Sequence, residues 1–344
     1  MMPNQRDTKP VSKAIVEVEG LTKTYDGKFK AVDGVSFQIE EGEIFGFLGP
    51  NGAGKSTTIN MLTTLLSPSS GQAVVCGFDV HKHANDVRRN VGIVPQEYTA
   101  DEDMTGMANI LLCADLYGIP RSDSKPHAME LLNLVELQDA ANRKVKTYSG
   151  GMRRRLELAC GLINYPKLLF MDEPTLGLDV QTRAAVWKYI RMLKQEYHMT
   201  LFLTTHYLEE ADSLCDRIAI IDHGHIIKIG TPTELKDGIG GDVIVVGVAD
   251  GEVDLSPDIG KLELVKEVKK NGNEYRIKAE SGEEASPQIM DLIRSKGLHV
   301  TKISLTKPSL DEAYLELTGR TLREEETNRW ATMSQRITMA RARS

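Results

Sequence analysis

The 344-residue sequence predicts an α/β fold with a mainly parallel, helix-covered sheet, followed by a small α+β domain. Through the first two thirds of the chain, short apolar runs alternate with stretches of helical periodicity, as in βαβ units. Glycine and charged residues interrupt this pattern near 236–241. Beyond the interruption, new strand-like and helix-like runs appear, which indicates a second domain with its own core.

The composition excludes several classes of protein. Hydrophobic residues make up 41% of the chain and charged residues 26%, which is typical of globular domains. The net charge of −7 offers no basic surface for nucleic acid, so we expect no nucleic-acid partner. No apolar run approaches the roughly 20 residues of a membrane span, and the polar residues 1–12 lack the apolar core of a secretory signal. The scattered cysteines form no C-x-x-C pair and predict buried thiols in a reducing compartment: Cys76, Cys113, Cys160 and Cys215.

The elements of the first domain are predicted from apolar runs and from the glycine and proline residues that interrupt them. Thr105 can cap a helix that Gly118 and Pro120 end, and a proline likewise follows the helix after the first glycine-rich loop. The predicted strands are short strands within 13–35 around the turn Asp26-Gly27, then 44–48, 168–171, 201–204 and 218–221. The predicted helices are 57–66, 105–116 and 128–137.

The second domain shows the same kinds of signal on a smaller scale. Its predicted strands are 243–248, 262–268, 274–279 and one further strand after the predicted helix 287–296. A last helix is predicted over 310–317. This mixture of elements predicts a small α+β domain.

One loop carries the strongest chemical signal in the chain. Residues 49–56 match the P-loop pattern G-x-x-x-x-G-K-[ST] between a strand-like and a helix-like run. The glycines let backbone N–H groups turn toward phosphate oxygens, Lys55 adds a positive charge for the β- and γ-phosphates, and the Ser56 hydroxyl is placed to bind Mg²⁺. The sequence therefore predicts a nucleoside-triphosphate site. Its residues are Gly49, Pro50, Asn51, Gly52, Ala53, Gly54, Lys55, Ser56 and Thr57.

Two adjacent carboxylates end the apolar run 168–171. A buried strand there would deliver Asp172 to the Mg²⁺ beside the P-loop. Glu173 follows directly, where it could polarise a water for attack on the γ-phosphate. The pair predicts hydrolysis of the bound triphosphate.

A third motif stands between these two. Ser149 can cap a helix whose apolar residues Leu156, Ala159 and Ile163 recur at helical spacing. The N–H groups of its first turn, with Gly150 and Gly151, would face an anion. The segment 148–152, Tyr-Ser-Gly-Gly-Met, resembles the signature Leu-Ser-Gly-Gly-Gln of the ATP-binding-cassette (ABC) ATPases, with tyrosine and methionine in place of its first and last residues.

Four further residues match motifs of that family in the family's order. The resemblance implies that Tyr25 stacks on adenine and that Gln96 touches Mg²⁺ and water at the join to a helical subdomain. It also implies that Asp179 lies in a loop that crosses a dimer interface, and that His206 hydrogen-bonds the γ-phosphate. The resemblance covers about residues 14–235.

The resemblance also implies how the chain is organised and what it does. It implies a P-loop NTPase core over 13–238, with a helical subdomain at about 97–150, an accessory α+β domain over 242–319 and a tail over 320–344. ATP and Mg²⁺ are the implied cofactors. In the family, two ATPase subunits sandwich two ATP molecules, each ATP held between one P-loop and the Ser149 segment of the other subunit.

The subfamily features are more specific. Both the segment 148–156 and the ending 308–320 look like the daunorubicin-resistance branch of ABC exporter ATPases. Members of that branch drive a separate integral-membrane permease, from the cytoplasmic face of the membrane, and export drugs, lipids or polysaccharide-like cargo. A non-transport ABC ATPase or an import ATPase remains the alternative. The three arginines Arg153, Arg154 and Arg155 are expected in a solvated or dimer-facing role.

Overall fold

The structure, a computed structural model, describes residues 14–238, 241–249, 254–307 and 309–319. The chain divides into two compact units between Ile229 and Gly230, ahead of the interruption near 236–241. The limits of the catalytic and accessory domains given above remain a prediction. The expected tail 320–344 lies outside the described residues.

The first unit contains two sheets and the helices between their strands. Its elements in chain order are β1 (Ala14–Tyr25), β2 (Phe29–Glu40), β3 (Ile44–Leu48), α1 (Lys55–Leu62), β4 (Ser70–Val75), β5 (Phe78–Asp79), α2 (Ala84–Asn90), β6 (Val91–Val94), α3 (Gly106–Leu116), α4 (Arg121–Leu134), two short 3₁₀ helices, α5 (Gly150–Leu162), β7 (Leu168–Asp172), α6 (Val180–Tyr197), β8 (Thr200–Thr205), α7 (Leu208–Leu214), β9 (Arg217–Asp222) and β10 (His225–Gly230).

The main sheet has six strands in the order β10-β9-β3-β8-β7-β6. The pairs β9–β3, β3–β8, β8–β7 and β7–β6 are all parallel, which confirms the predicted α/β class. Crossover helices cover a parallel sheet, and this explains why β3, β7 and β8 are buried along almost their whole length. The carboxyl ends of these strands therefore meet at one edge of the sheet.

An antiparallel sheet in the order β2-β1-β4-β5 accompanies the parallel one. Its central hairpin turns at Asp26-Gly27, as predicted, and both residues have positive φ, the conformation of a two-residue hairpin turn. Buried aromatic rings of the two sheets pack in a single cluster, with neighbouring centroids 5.4–6.2 Å apart. Its members are Phe37, Phe45, Phe47, Phe170 and Phe202.

Two helix limits differ from the predicted ones. Helix α1 begins at Lys55 and ends at Leu62, because the last glycine of the loop serves as its N-cap and the chain turns at Thr63. Helix α4 begins at Arg121, seven residues before the predicted start, and continues through Pro126. The helix keeps this proline near its first turns, where the burial of Ala128, Leu131 and neighbouring residues stabilises it.

The second unit is a four-stranded antiparallel sheet with helices, which confirms the predicted α+β domain. Its elements are α8 (Pro232–Asp237), β11 (Asp242–Val248), α9 (Ser256–Ile259), β12 (Val265–Asn271), β13 (Glu274–Ala279), α10 (Gly282–Ser295), β14 (Val300–Thr306) and α11 (Leu310–Thr318). The strand order is β12-β13-β11-β14. Ile244, Val246 and Ile277 of the central strands pack against Ile289 and Ile293 of α10 in its core.

Two predicted limits in this unit were also wrong. Strand β12 begins at Val265, because the backbone at 262–265 still turns after α9. Helix α10 begins at Gly282, where the Ser281 hydroxyl accepts a hydrogen bond from the Glu284 amide, and it contains Pro287 in its interior. The cap at Ser281 thus starts the helix five residues before the proline that was taken as its start.

Among the described residues, no helix is both long enough and apolar enough to cross a membrane. The four cysteines are free thiols. Cys215 is buried as expected, whereas Cys76, Cys113 and Cys160 are only half-buried.

Candidate functional site

Four adjacent parallel strands place sequence-predicted residues at one edge of the main sheet. The glycine-rich loop follows β3, Asp172 and Glu173 come at and just after the end of β7, His206 follows β8, and Gln96 lies two residues beyond β6. In a doubly wound sheet, ligands bind outside the carboxyl ends of the strands. The fold itself therefore gathers these residues where a ligand would be expected.

The glycines of the loop are required by close packing. A Cβ atom at Gly49 would lie 2.2 Å from the carbonyl oxygen of Ile221, and one at Gly54 would lie 2.5 Å from that of Ala31. Gly54 also has a φ of 108°, a conformation that side chains disfavour. The loop is further fixed by the amide of Gly224, which donates to the Ala53 carbonyl at 3.0 Å.

Lys55 is buried at the start of α1. Its Nζ donates to the loop carbonyls of Gly49 at 2.7 Å and Pro50 at 3.1 Å. The same nitrogen lies 3.1 Å from Oε1 of Glu173, an ion pair in which both side chains are almost fully buried. The ammonium group thus lies between the glycine-rich loop and the carboxylate that follows β7.

Glu173 is held from two sides. Its Oε2 lies 2.9 Å from Nδ1 of His206, while its Oε1 faces Lys55. Burial acts to raise the pKa of the Glu173 carboxyl, but the hydrogen bond from His206 and the charge of Lys55 outweigh burial, so the pKa lies below its ordinary value. Glu173 is therefore a carboxylate near neutral pH and can accept a proton.

Asp172 and Ser56 offer oxygen ligands of the kind that Mg²⁺ prefers. Oδ1 of Asp172 accepts a hydrogen bond from the Thr204 hydroxyl at 2.5 Å, which orients the carboxylate at the end of β7. Magnesium is usually held by one or two protein oxygens together with substrate phosphates, so this donor set fits the ion.

The Ser149 segment begins α5, as predicted. The Ser149 hydroxyl accepts a hydrogen bond from the Met152 amide at 3.3 Å, and both Ser149 and Gly150 are exposed. Tyr148, which replaces leucine of the family signature, is 5% exposed, and its hydroxyl donates to the Ala140 carbonyl at 2.7 Å. The tyrosine therefore serves packing, and the exposed first turn of α5 remains open to a ligand.

The start of α5 lies beside the start of α6. A Cβ atom at Gly151 would lie 2.6 Å from Cγ2 of Thr182. Asp179 caps α6, accepting from the amides of Gln181 and Thr182 at 3.0 Å and from the Thr182 hydroxyl at 2.6 Å. These local hydrogen bonds lower the pKa of the exposed Asp179 carboxyl.

Of the three arginines of α5, Arg154 does not have the solvated role that we expected, whereas Arg153 and Arg155 are half-buried. The alternative expectation, that these arginines face a dimer partner, stays a prediction. Arg154 is 1% exposed and donates to the carbonyls of Pro95 at 2.6 Å and Gln96 at 2.8 Å. Arg155 donates to the Val135 carbonyl at 3.0 Å, and Arg153 pairs with Glu102. All three therefore bond within the same subunit.

The described hydrogen bonds and ion pairs unite Lys55, Glu173 and His206, and they link Asp172 to the same sheet edge. Those of Ser149 and Asp179 stay within their own helix starts, and Tyr25 is exposed with Lys23 over its ring at 5.5 Å.

Sequence reasoning missed residues that support the site. The Thr204 hydroxyl accepts from the Glu173 amide at 3.0 Å as well as bonding Asp172. A polar residue within the apolar run 201–204, two positions before His206, was the available signal. Glu157, which is 2% exposed on α5, accepts hydrogen bonds from Thr99 and Ala100. No pattern in the sequence marked it.

Comparison with known protein families matches both parts of the chain. Residues 32–176 match the family described as ABC transporter, and residues 230–318 match the family described as ATP-binding protein DrrA1-3-like, C-terminal domain.

Similar proteins from several bacteria span nearly the whole sequence. The daunorubicin/doxorubicin resistance ATP-binding protein DrrA of Streptomyces peucetius is 41% identical over 307 residues, which cover 88% of this chain and 92% of that protein. The linearmycin resistance ATP-binding protein LnrL of Bacillus subtilis is 38% identical, covering 90% of this chain and 100% of that protein. The Nod factor export ATP-binding protein I of Ralstonia nicotianae is 37% identical, covering 91% and 96%.

Solved structures resemble about two thirds of the chain. CbiO1 from Clostridium perfringens, part of an ABC transporter complex, aligns with a TM-score of 0.60 and 26% identity, covering 64% of this chain and 90% of its own. The dimeric ATP-binding cassette MJ0796 bound to ADP and Pi aligns with a TM-score of 0.58 and 27% identity, covering 63% and 98%.

Proposed function

The chain belongs to the ABC transporter ATP-binding family, as an ATPase subunit of the drug-resistance and export type, and from this we propose that two copies close on ATP to drive a separate membrane permease. Members of the family bind ATP and hydrolyse it to power transport, and so does this chain. The dimer, the permease, the magnesium ion and the roles of single residues are parts of the proposal.

The observation that carries the catalytic proposal is the position of Glu173. Its carboxylate is ionised, buried and held between Lys55 at 3.1 Å and His206 at 2.9 Å, at the sheet edge beside the phosphate-binding loop. In this proposal Glu173 orients a water and takes its proton as the water attacks the γ-phosphate. Lys55 leaves its loop carbonyls for the phosphates, and His206 bonds the γ-phosphate while it fixes Glu173.

The remaining site residues would bind and orient the nucleotide. The loop 49–57 cradles the phosphates with its backbone N–H groups, which every residue of the loop except Pro50 has, and the exposed ring of Tyr25 stacks on adenine. Ser56 and Asp172, with Gln96, would hold Mg²⁺, which neutralises charge on the β- and γ-phosphates when it is bound.

Exposure of the Ser149 segment supports a dimer. Ser149 and Gly150 present the first turn of a 13-residue helix to solvent. Among the described residues, no hydrogen bond joins this turn to the glycine-rich loop of the same chain, so the turn is available to a second copy. A helix start of this kind binds anions. We therefore propose that Ser149, Gly150 and Gly151 contact the ATP held by a second copy, with Asp179 at the same interface.

An exposed apolar strip on α3 supports the proposal that a membrane permease docks on this subunit. Leu116 is 80% exposed, Leu112 42% and Tyr117 39%, at positions that share one face of the helix or follow its end. An integral-membrane partner docked here would hold the ATPase at the cytoplasmic face of the membrane. The names of the relatives refer to resistance to daunorubicin, doxorubicin and linearmycin and to export of Nod factor, which supports export of a drug-like cargo. A lipid or polysaccharide-like cargo is the wider form of the proposal.

Copurification from membranes tests the transport proposal. A tagged chain should bring down an integral-membrane protein in detergent, and a Leu112→Ser/Leu116→Ser variant should lose it while keeping ATP turnover in isolation. Recovery of the chain without any integral partner would favour the alternative of a non-transport ABC ATPase. ATP-driven movement of cargo from the external side to the cytoplasmic side of the membrane, measured in vesicles of known orientation, would instead favour an import ATPase.

A further inference from the structure

Two buried charged side chains of α5 hold a single short loop, the segment 95–100 that follows β6. Arg154 is 1% exposed and Glu157 is 2% exposed. Burying a charge is costly unless the charge is hydrogen-bonded, and here both charges bond the same loop. Neither side chain has a role in the reaction as proposed above.

The two charges take opposite backbone groups of this loop. The guanidinium of Arg154 donates to the carbonyls of Pro95 at 2.6 Å and Gln96 at 2.8 Å. The carboxylate of Glu157 accepts from the amides of Thr99 at 2.6 Å and Ala100 at 2.9 Å. Because carbonyls are fixed at one end and amides at the other, rotation of any of these peptides would break a charge-assisted hydrogen bond.

A third contact ties the loop to the first turn of α5. The hydroxyl of Tyr98 donates to the Gly150 carbonyl at 3.3 Å, and its ring lies 5.2 Å from the Arg154 guanidinium. The loop that carries Gln96 is therefore bonded to α5 at three successive turns of the helix, through Gly150, Arg154 and Glu157. Ser149, which caps the same helix, belongs to this connected group.

We propose that Arg154 and Glu157 are positioning residues that clamp the loop 95–100 to α5, so that Gln96 and Ser149 move as one body. The clamp deepens the proposed function, since it assumes that Gln96 reaches the nucleotide and Ser149 the second copy. When Gln96 moves, the loop would then keep its conformation, and the Ser149 segment would move by the same amount. The backbone contacts make the clamp independent of the side chains at 95 and 96.

Hydrogen exchange tests the clamp without reference to activity. In Arg154→Met, the amides of 96–100 should exchange about tenfold faster than in the full-length parent. Arg155→Met is the matched control, because it also removes carbonyl bonds from α5, but at 135–136, and should leave 96–100 unchanged. Unchanged exchange of 96–100 in Arg154→Met would overturn the clamp.

A double-mutant cycle tests the link to Gln96. Arg154→Met should lower kcat about 10- to 100-fold, the range for outer-shell partners of a metal ligand, with the KM for ATP within twofold. In a Gln96→Ala background the same change should have little further effect. Equal losses of kcat in both backgrounds would overturn the positioning role.

Two further outcomes are informative. If Arg154→Met fails to fold, Arg154→Lys replaces it in both tests. A lysine keeps the buried charge but lacks the planar guanidinium that bonds two carbonyls. Its exchange rates for 96–100 and its kcat should lie between those of the parent and those expected for Arg154→Met. If Gln96→Ala turns over ATP like the parent, the role of Gln96 in the proposed function fails. The exchange measurement then decides the clamp by itself.

Discussion

Nδ1 of His206 lies 2.9 Å from Oε2 of Glu173, although the two residues come from different strands. Glu173 follows β7 with a φ of 48°, a conformation that is strained for a side chain of its size. Its amide nevertheless stays fixed, because it donates to both the hydroxyl and the carbonyl of Thr204. The backbone strain and the hydrogen bond to His206 together aim one carboxylate into the site.

Glu173→Gln should keep ATP binding and lower turnover about 10²–10⁴-fold, the range for loss of a general base. It should also accumulate an ATP-bound dimer, because the contacts across the interface survive while hydrolysis is blocked. Phosphate release with Mg-ATP and size-exclusion chromatography measure the two effects. Glu209→Gln, at an exposed position of α7, is the control and should behave like the parent. Parental turnover in Glu173→Gln would rule out Glu173 as the base.

The stability contributed by Glu173 should depend on pH in one direction. Its pKa in the folded protein lies below the ordinary value of 4.5, so its contribution is fully present above that value. The contribution is lost as the pH falls through the folded pKa. The difference in unfolding free energy between the parent and Glu173→Gln, from urea titrations between pH 7 and pH 3.5, should therefore be constant above about pH 5.5 and shrink below 4.5. A difference that grows toward acid would contradict the direction of the shift.

Much of the site could be predicted because its chemistry is local in sequence. The glycine-rich loop, the carboxylates after β7 and the serine at the start of α5 each combine special residues with a short strand or helix signal. The structure brings Lys55, Glu173 and His206 to one point because parallel strands share a carboxyl edge. This juxtaposition follows from the fold class alone.

Other features depend on contacts between distant segments. The predicted helices 128–137 and 287–296 both start too late, because α4 begins at Arg121 and α10 at Gly282, and each runs through a proline five residues after its first residue. The cap at Ser281 decides the start of α10, and burial of Ser124 and His127 against distant segments stabilises the early turns of α4. Arg154 was expected in a solvated or dimer-facing role, yet it is buried, and the carbonyls that it bonds belong to a loop 58 and 59 positions away. Neither the helix starts nor the burial of Arg154 can be read from residues that are neighbours in sequence.

Ser149→Arg should abolish the ATP-dependent dimer and spare binding of ATP to the monomer. The serine is exposed at the start of α5, so a large cation there fills the space proposed for the γ-phosphate of a second copy. The test is size-exclusion chromatography in a Glu173→Gln background with ATP. Thr147→Arg, exposed two residues earlier, is the control. A persistent dimer in the Ser149→Arg double mutant would refute the contact across the interface.

Thiol labelling should distinguish two half-buried cysteines. Burial raises the pKa of Cys76 to about 11, whereas a hydrogen bond from Cys160 lowers the pKa of Cys113. Because the thiolate is the reactive form, iodoacetamide at pH 8 should modify Cys113 well before Cys76. Cys160→Ala should slow labelling of Cys113 and leave Cys76 unaffected, as peptide mass spectrometry can show. Faster labelling of Cys76 in the parent would contradict the assignment.

The second unit should be dispensable for binding ATP but required for export. The predicted nucleotide residues lie in the first unit, between Tyr25 and His206, and the strand β9 with the turn at Gly224 completes the support of the phosphate loop.

The point of truncation matters, because Leu235 of α8 is 1% exposed within the second unit, where α8 packs against α11. A chain ending at Gly230 should therefore stay soluble and bind ATP within a few-fold of the parent, while export or resistance in cells falls. A chain ending at Gly238 keeps α8 without its packing partner and should be less soluble. Fluorescent-nucleotide titration, solubility and a cellular export assay measure these effects. A soluble chain ending at Gly230 that no longer binds ATP would show that the second unit contributes to the nucleotide site itself.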